Sequence, residues 1–145
     1  MFEAVVMVQS NSSFNIESVS TDEKKTRSTG LKAALNILEK WSLTNQQMMS
    51  ILGLKKSQFF KAKSDPFSLA VSNDLLERIS LVLNIHGVLR TVFNNPELVY
   101  GFMTSQNHNT FFEGRAPIDV IEGGNFGSLY DVYHRVNALR GGHWQ

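Results

Sequence analysis

The residues best suited to chemistry in this sequence are lysines grouped in one part of the chain. Residues 31–63 contain six lysines and one acidic residue, Glu39, which gives this stretch a net charge of +5. Lysine ammonium groups neutralise phosphate and supply affinity with little sequence selectivity. Four of the six lysines fall within residues 55–63. This short segment therefore predicts a phosphate-binding surface.

A second group of interest stands at the end of the sequence: Arg140, Gly141, Gly142, His143 and Trp144. Arginine and tryptophan are the residues that most often anchor protein interfaces. The two glycines let the backbone pass a narrow entrance that a side chain would block. Two interpretations stay open from the pattern alone. The segment binds a partner, or Trp144 folds back onto its own domain.

Catalytic and metal-binding residues are not predicted. The four histidines (residues 86, 108, 134 and 143) lack the spacing of metal ligands. His86 falls on the apolar stripe of a helix and is expected to be a hydrogen-bonded core residue. The carboxylates of Asp119, Glu122 and Asp131 are read as a solvated or partner-binding surface. With no Ser/His/Asp grouping and no glycine-rich phosphate loop, we expect a non-enzymatic protein without cofactor or metal.

Composition and charge suggest two modules. Residues 64–145 have a net charge of −3 and no lysine, in contrast to the basic stretch before them, although the whole chain has a net charge of only +1. A basic block followed by an acidic block suggests different partners for each. The absence of cysteine fits a reducing compartment. With no apolar run for a membrane span and no signal-peptide pattern, the expected location is the cytoplasm, without membrane association.

The elements that position these residues are predicted to be helices. Residues 1–30 are rich in Ser, Thr and Asn and are interpreted as a flexible arm. From Leu31 onward, apolar residues recur at helical spacing, and caps and breakers divide the pattern into successive helices. The predicted helices are a first one from Leu31, then Asn45–Leu52, residues 55–63, a long apolar helix around residues 75–93, residues 96–103, Pro117–Ile121 and residues 126–139.

The segment from Asn45 to Lys63 fits a helix-turn-helix, which needs a glycine turn and apolar residues that lock two helices together. Gly53 falls at the turn, and the inward positions are Met48, Leu52, Leu54 and Phe59. Met49 is a departure, because a small residue usually lets the helices cross closely at that position. The predicted DNA-binding residues are Lys55, Lys56, Ser57, Gln58, Phe60, Lys61 and Lys63.

Within this set, Gln58 is suited to bidentate reading of adenine, and Phe60 is suited to contact with a thymine methyl group. The alternative interpretation is a solvated, lysine-rich helix in a plain helical bundle. Spacing alone leaves both open, although the concentration of positive charge favours DNA binding.

The stretch from Leu31 to Gln145 resembles the Xre/MbcA/ParS antitoxins that partner RES-domain toxins. The resemblance rests on an ordered set of segments: the turn Leu52-Gly53-Leu54, the basic helix, and the apolar helix that ends in Val92-Phe93. It continues through Pro96-Glu97-Leu98, the sequence FFEGRAPIDVI at residues 111–121, residues 129–136 and the Arg-Gly-Gly-His-Trp end.

The resemblance implies an Xre-type DNA-binding domain at residues 31–66 and a helical dimerisation and toxin-binding domain at residues 67–145. It also implies that the partner toxin consumes NAD or uses it for ADP-ribosylation, so that the chain itself needs no cofactor. Such an antitoxin covers the toxin's active site, with residues 140–144 as the toxin-binding residues here. It often represses its own operon, here as an expected homodimer bound to double-stranded DNA.

Two rival functions belong to other classes. One is a stand-alone helix-turn-helix repressor without a toxin, which the neighbouring gene would distinguish from an antitoxin. The other is an interaction module that has lost DNA binding, which a mobility-shift assay on its own promoter would identify.

Overall fold

The computed structural model describes residues 20–121 and 125–141, and this part of the chain is helical without a strand. The predicted all-α fold class is confirmed. Short 3₁₀ turns at Pro66–Ser68, Phe102–Thr104 and Ala138–Gly141 connect or extend the helices. The α-helices, in chain order, are α1 (Thr21–Lys40), α2 (Asn45–Leu52), α3 (Lys56–Ser64), α4 (Asn73–Val92), α5 (Pro96–Gly101), α6 (Pro117–Ile121) and α7 (Phe126–Asn137).

Helix α1 corrects the prediction of a flexible arm over residues 1–30. It begins at Thr21, ten positions before Leu31, because Ser20 Oγ accepts a hydrogen bond from the Glu23 backbone N–H at 3.1 Å. Acidic side chains in the first turn also stabilise this start, because they interact favourably with the positive end of the helix dipole. The Ser- and Thr-rich composition concealed this start. Residues 1–19 of the predicted arm lie outside the described residues.

Helix α4 is the central element of the core. It packs against α1 on one side and α7 on another, and buried residues from all three helices belong to one apolar cluster. Ile79, Val82 and Leu89 are fully buried within this single chain. No helix of residues 20–121 and 125–141 combines the length and apolarity needed to cross a membrane.

Local capping signals position the other helices close to their predicted bounds. Thr44 and Gln47 form the predicted capping box at the start of α2, with bonds of 3.1 and 2.9 Å. Asn95 caps α5, where Pro96 occupies the first turn. The basic helix α3 begins at Lys56 and ends at Ser64, one residue later at each end than predicted.

The turn between α2 and α3 depends on glycine. Gly53 adopts φ 64° and ψ 31°, in the left-handed region that disfavours residues with a Cβ atom. Its N–H bonds to carbonyls at the end of α2, which closes that helix. A Cβ atom at this position would lie 3.1 Å from Cζ and Nε of Arg78. The left-handed conformation therefore favours the predicted turn glycine, and a Cβ atom would also require the Arg78 side chain to shift slightly.

We expect Gly53→Ala to lower the free energy of unfolding by about 1–2 kcal/mol, because alanine is strained in the left-handed region. Gly87→Ala is the matched control. Gly87 lies within α4 with open space around its Cα, so alanine there should raise stability by roughly 0.5–1 kcal/mol. Urea denaturation of both variants measures the two effects. Equal shifts in the same direction would contradict a special role for the Gly53 turn.

Candidate functional site

The helix-turn-helix of α2 and α3 has the predicted inward residues. Met48, Leu52 and Phe59 are buried, and Leu54 is partly buried against the same core. Met49, the departure from the usual small residue, is also only partly buried at the edge of the core. The motif thus forms despite Met49, because this side chain lies at the core margin.

The outward side of α3 is exposed and cationic. Lys55, Lys56 and Lys61 are exposed, and none of them pairs with a carboxylate in residues 20–121 and 125–141. Ser57 is exposed between them, and Phe60 leaves 42% of its surface open to solvent. A helix with free ammonium groups, a hydroxyl and an aromatic ring offers phosphate and base-edge contacts together.

The Gln58 side chain is exposed, but it forms a hydrogen bond with the backbone at the start of its own helix. Its side-chain Oε1 accepts a hydrogen bond from the Lys55 backbone N–H at 3.1 Å, at the start of α3. Bidentate reading of adenine needs this oxygen as well as the amide nitrogen. The structure therefore assigns Gln58 to capping α3 in the free protein, a role that the sequence prediction missed.

Lys63 does not share the outward face with the other predicted DNA-binding residues. Its Nζ lies 3.0 Å from Glu39 Oε1 on α1 and 3.5 Å from Asn45 Oδ1 on α2. The same ammonium group is 5.5 Å from the centre of the Phe59 ring. Lys63 is thus paired at the surface with residues of α1 and α2, so its charge is less available to phosphate than those of Lys55, Lys56 and Lys61.

Arg78 is a positioning residue that the sequence prediction missed. Its guanidinium donates to the Ile51 carbonyl at 3.1 Å and to the Ser50 carbonyl at 3.5 Å, both at the end of α2. It also pairs with Asp74 Oδ2 at 3.2 Å and lies 5.9 Å from the Phe126 ring of α7. A side chain on α4 therefore caps the first helix of the motif and contacts the last helix.

The segment at residues 111–121, which carries part of the family resemblance, forms a compact turn and helix start. Phe112 is fully buried, and Arg115 donates to the carbonyls of Phe112 and Phe111 at 3.0 and 3.3 Å. Asp119 Oδ2 accepts from the Ala116 N–H at 3.2 Å. These polar residues therefore serve the local fold.

Helix α7 has a buried side and a side that carries exposed and half-buried aromatic residues. Leu129, Val132 and Val136 are buried in the core. On the other side, Tyr130 is 44% exposed, and its ring meets the exposed His134 ring edge-on at 4.4 Å. Tyr133 and Phe126 extend this aromatic face, which comprises Phe126, Tyr130, Tyr133 and His134.

The predicted toxin-binding residues follow α7 directly. Arg140 and Gly141 are exposed in the 3₁₀ turn Ala138–Gly141. Gly142, His143 and Trp144 lie outside the described residues. The structure therefore places the start of this segment on the surface, next to the end of α7.

His86 differs from its predicted role as a hydrogen-bonded core residue. It is half-buried, its ring stacks on Tyr100 with centres 5.6 Å apart, and its buried Nδ1 has no hydrogen-bond partner in the described part of the chain. Burial lowers the pKa of His86, and the charges of Arg90 and Lys40 lower it further. His86 is consequently a neutral ring packed between helices.

Comparison with known proteins identifies both halves of the chain. Residues 23–84 match the antitoxin Xre-like helix-turn-helix domain, and residues 88–142 match the antitoxin Xre/MbcA/ParS C-terminal toxin-binding domain. The first match extends beyond the predicted 31–66 domain at both ends.

The chain is similar to the uncharacterized protein y4oB of Sinorhizobium fredii (strain NBRC 101917 / NGR234). The two are 31% identical over 113 residues, which cover 77% of this chain and 84% of y4oB.

No solved structure matches the chain significantly. The two matched domains together span most of the sequence; the first contains the exposed α3 and the second contains the aromatic face of α7. The chain therefore belongs to the family of antitoxins that join an Xre-like helix-turn-helix domain to an Xre/MbcA/ParS C-terminal toxin-binding domain.

Proposed function

We propose that this antitoxin neutralises a cognate RES-domain toxin and represses its own operon. The observation that carries the proposal is the combination, in one chain, of an exposed lysine face on a helix-turn-helix and a toxin-binding domain. The RES identity of the toxin comes from the sequence resemblance. The chemistry on NAD would belong to the toxin, so the antitoxin acts by binding and needs no cofactor of its own.

The DNA-binding half of the proposal depends on α3. Lys55, Lys56 and Lys61 lack carboxylate partners among the described residues, so their charge is available to phosphate. Ser57 and Phe60 then face the base edges of the major groove. Helix-turn-helix proteins bind paired half-sites as dimers, and we propose a homodimer here for the same reason.

The toxin-binding half depends on α7 and the residues that follow it. The aromatic face of α7 supplies large rigid contact area at low entropic cost, and tyrosine is enriched in interface hot spots. Arg140 lies in the 3₁₀ turn that follows α7, and its planar guanidinium presents several donors in a geometry suited to carboxylates. We propose that α7 docks on the toxin and directs residues 140–145 into its cleft, where they exclude NAD.

Replacement of Lys55 and Lys56 by alanine should weaken promoter binding and reduce the slope of log affinity against log salt by about 1.8, since each phosphate contact contributes roughly 0.9. Toxin neutralisation should survive, because these lysines belong to the other domain. Mobility-shift titrations at several salt concentrations measure the effect.

The matched control for this experiment is Lys24→Ala with Lys25→Ala, which removes the same charge from an adjacent pair of exposed lysines on α1. An equal loss in the control would mean that total charge, and not the α3 face, controls the affinity. An unchanged affinity and salt slope in the Lys55 and Lys56 variant would contradict the DNA-binding role of α3.

Deletion of residues 141–145 should leave folding and promoter binding intact but abolish protection from the toxin and inhibition of NAD turnover in a purified assay. Trp144→Ala should give a graded loss of about 2–4 kcal/mol in binding to the toxin. Tyr130→Ala provides the comparison, since it tests the exposed α7 face alone. If the truncated chain neutralises the toxin as well as the full chain, while Tyr130→Ala does not, α7 alone covers the entrance.

A further inference from the structure

A buried arginine in the first half of α1 has no carboxylate partner among residues 20–121 and 125–141. Arg27 is only 6% exposed. Its Nη1 donates to the Val71 carbonyl at 3.0 Å and to Asn73 Oδ1 at 3.2 Å, which connects α1 to the start of α4 and to the segment just before it. Its buried Nε has no hydrogen-bond partner, and no ion pair of residues 20–121 and 125–141 includes Arg27. Buried charges are normally paired, and within the described part of the chain Arg27 is balanced only by neutral oxygen acceptors.

Arg27 forms part of the lining of an open groove of about 290 Å³. Lys24 and the buried Ser28 lie beside it on α1, which makes this wall cationic and polar. The rest of the lining comes from the segment after α3 and includes Phe67, which is 50% exposed, together with Leu69 and Val71. The lining therefore combines cationic with apolar side chains.

We propose that this groove binds a small organic carboxylate, with its anionic group on the Arg27 wall and its apolar body against Phe67. Arginine forks match carboxylate geometry, and the Lys24 ammonium adds a second positive charge at the rim. An apolar wall adds nothing for a bare inorganic anion, so it favours a ligand with a hydrocarbon or aromatic body. The DNA backbone is a poor candidate, because Arg27 lies nine-tenths buried at the groove lining.

The site is separate from both surfaces of the proposed function. Its residues lie on the first half of α1 and on residues 67–71, whereas the DNA-binding face is on α3 and the aromatic face is on α7. A ligand here would add to antitoxin function a binding site for a small molecule. Loss of DNA or toxin binding would leave this proposal unaffected.

Benzoate and its neutral isostere benzamide test the proposal in calorimetric titrations with the full chain. Benzoate should bind saturably, and benzamide, acetate and inorganic phosphate should each bind at least tenfold more weakly. Lys24→Gln and Phe67→Ala alter exposed residues, so both variants should fold and should weaken benzoate binding about fivefold or more. The matched control Lys25→Gln, one residue along α1 and outside the groove lining, should leave binding unchanged.

Three outcomes would overturn the proposal. The first is no saturable benzoate binding. The second is benzamide, acetate or phosphate binding as tightly as benzoate, since either the charge or the apolar body would then play no part. The third is an affinity for benzoate in the Lys24→Gln and Phe67→Ala variants that equals the affinity of the unaltered chain. Arg27→Gln serves as an additional variant only if its thermal unfolding stays cooperative, because Arg27 also joins α1 to residues 71–73.

Discussion

The need to bury helix α4 on almost every side organises the rest of this protein. Nine of its residues are buried, and they lie around the helix instead of along a single stripe. A helix with this much apolar surface must be covered from more than one direction. Helix α1 covers one side and α7 another, and the three share one apolar cluster. The two halves that match separate antitoxin domains consequently meet on a single element: residues 73–84 of α4 belong to the first match and residues 88–92 to the second.

Besides the shared apolar cluster, the Arg78 side chain connects α4 to α2 and α7 through polar contacts. From α4 it bonds to carbonyls at the end of α2, and its guanidinium also lies near the Phe126 ring on α7. The end of α2 is where Gly53 turns the chain into α3, so Arg78 and Gly53 together fix the direction of the helix proposed to enter DNA. The position of α3 therefore depends on α4 as well as on the helix-turn-helix sequence itself.

Local chemistry explains what could be predicted from the sequence. The capping box at Thr44, the left-handed turn at Gly53 and the Asn95-Pro96 start are set by neighbouring residues, and the structure contains all three. The start of α1 was missed because its first ten residues are polar or small, and the residues that pack against them and bind Arg27 lie about 40 positions further along the chain. The roles of Lys63 and Arg78 depend on partners 18 to 28 positions away, which no local pattern indicates. The surface of α7 could not be predicted for a similar reason. Its apolar spacing predicts which side is buried, but it does not indicate which exposed residues bind a partner.

The central claim is that α4 joins the two antitoxin domains into one cooperative unit. Native-state hydrogen exchange of backbone amides in α1 and α7 tests it most directly, with Val82→Ala as the perturbation because Val82 is fully buried in α4. A shared core predicts that the most protected amides of both helices open with the same free energy. It also predicts that the substitution lowers both values equally, by roughly 1–3 kcal/mol. Protection in α7 that stays unchanged while that in α1 falls, or the reverse, would contradict the claim.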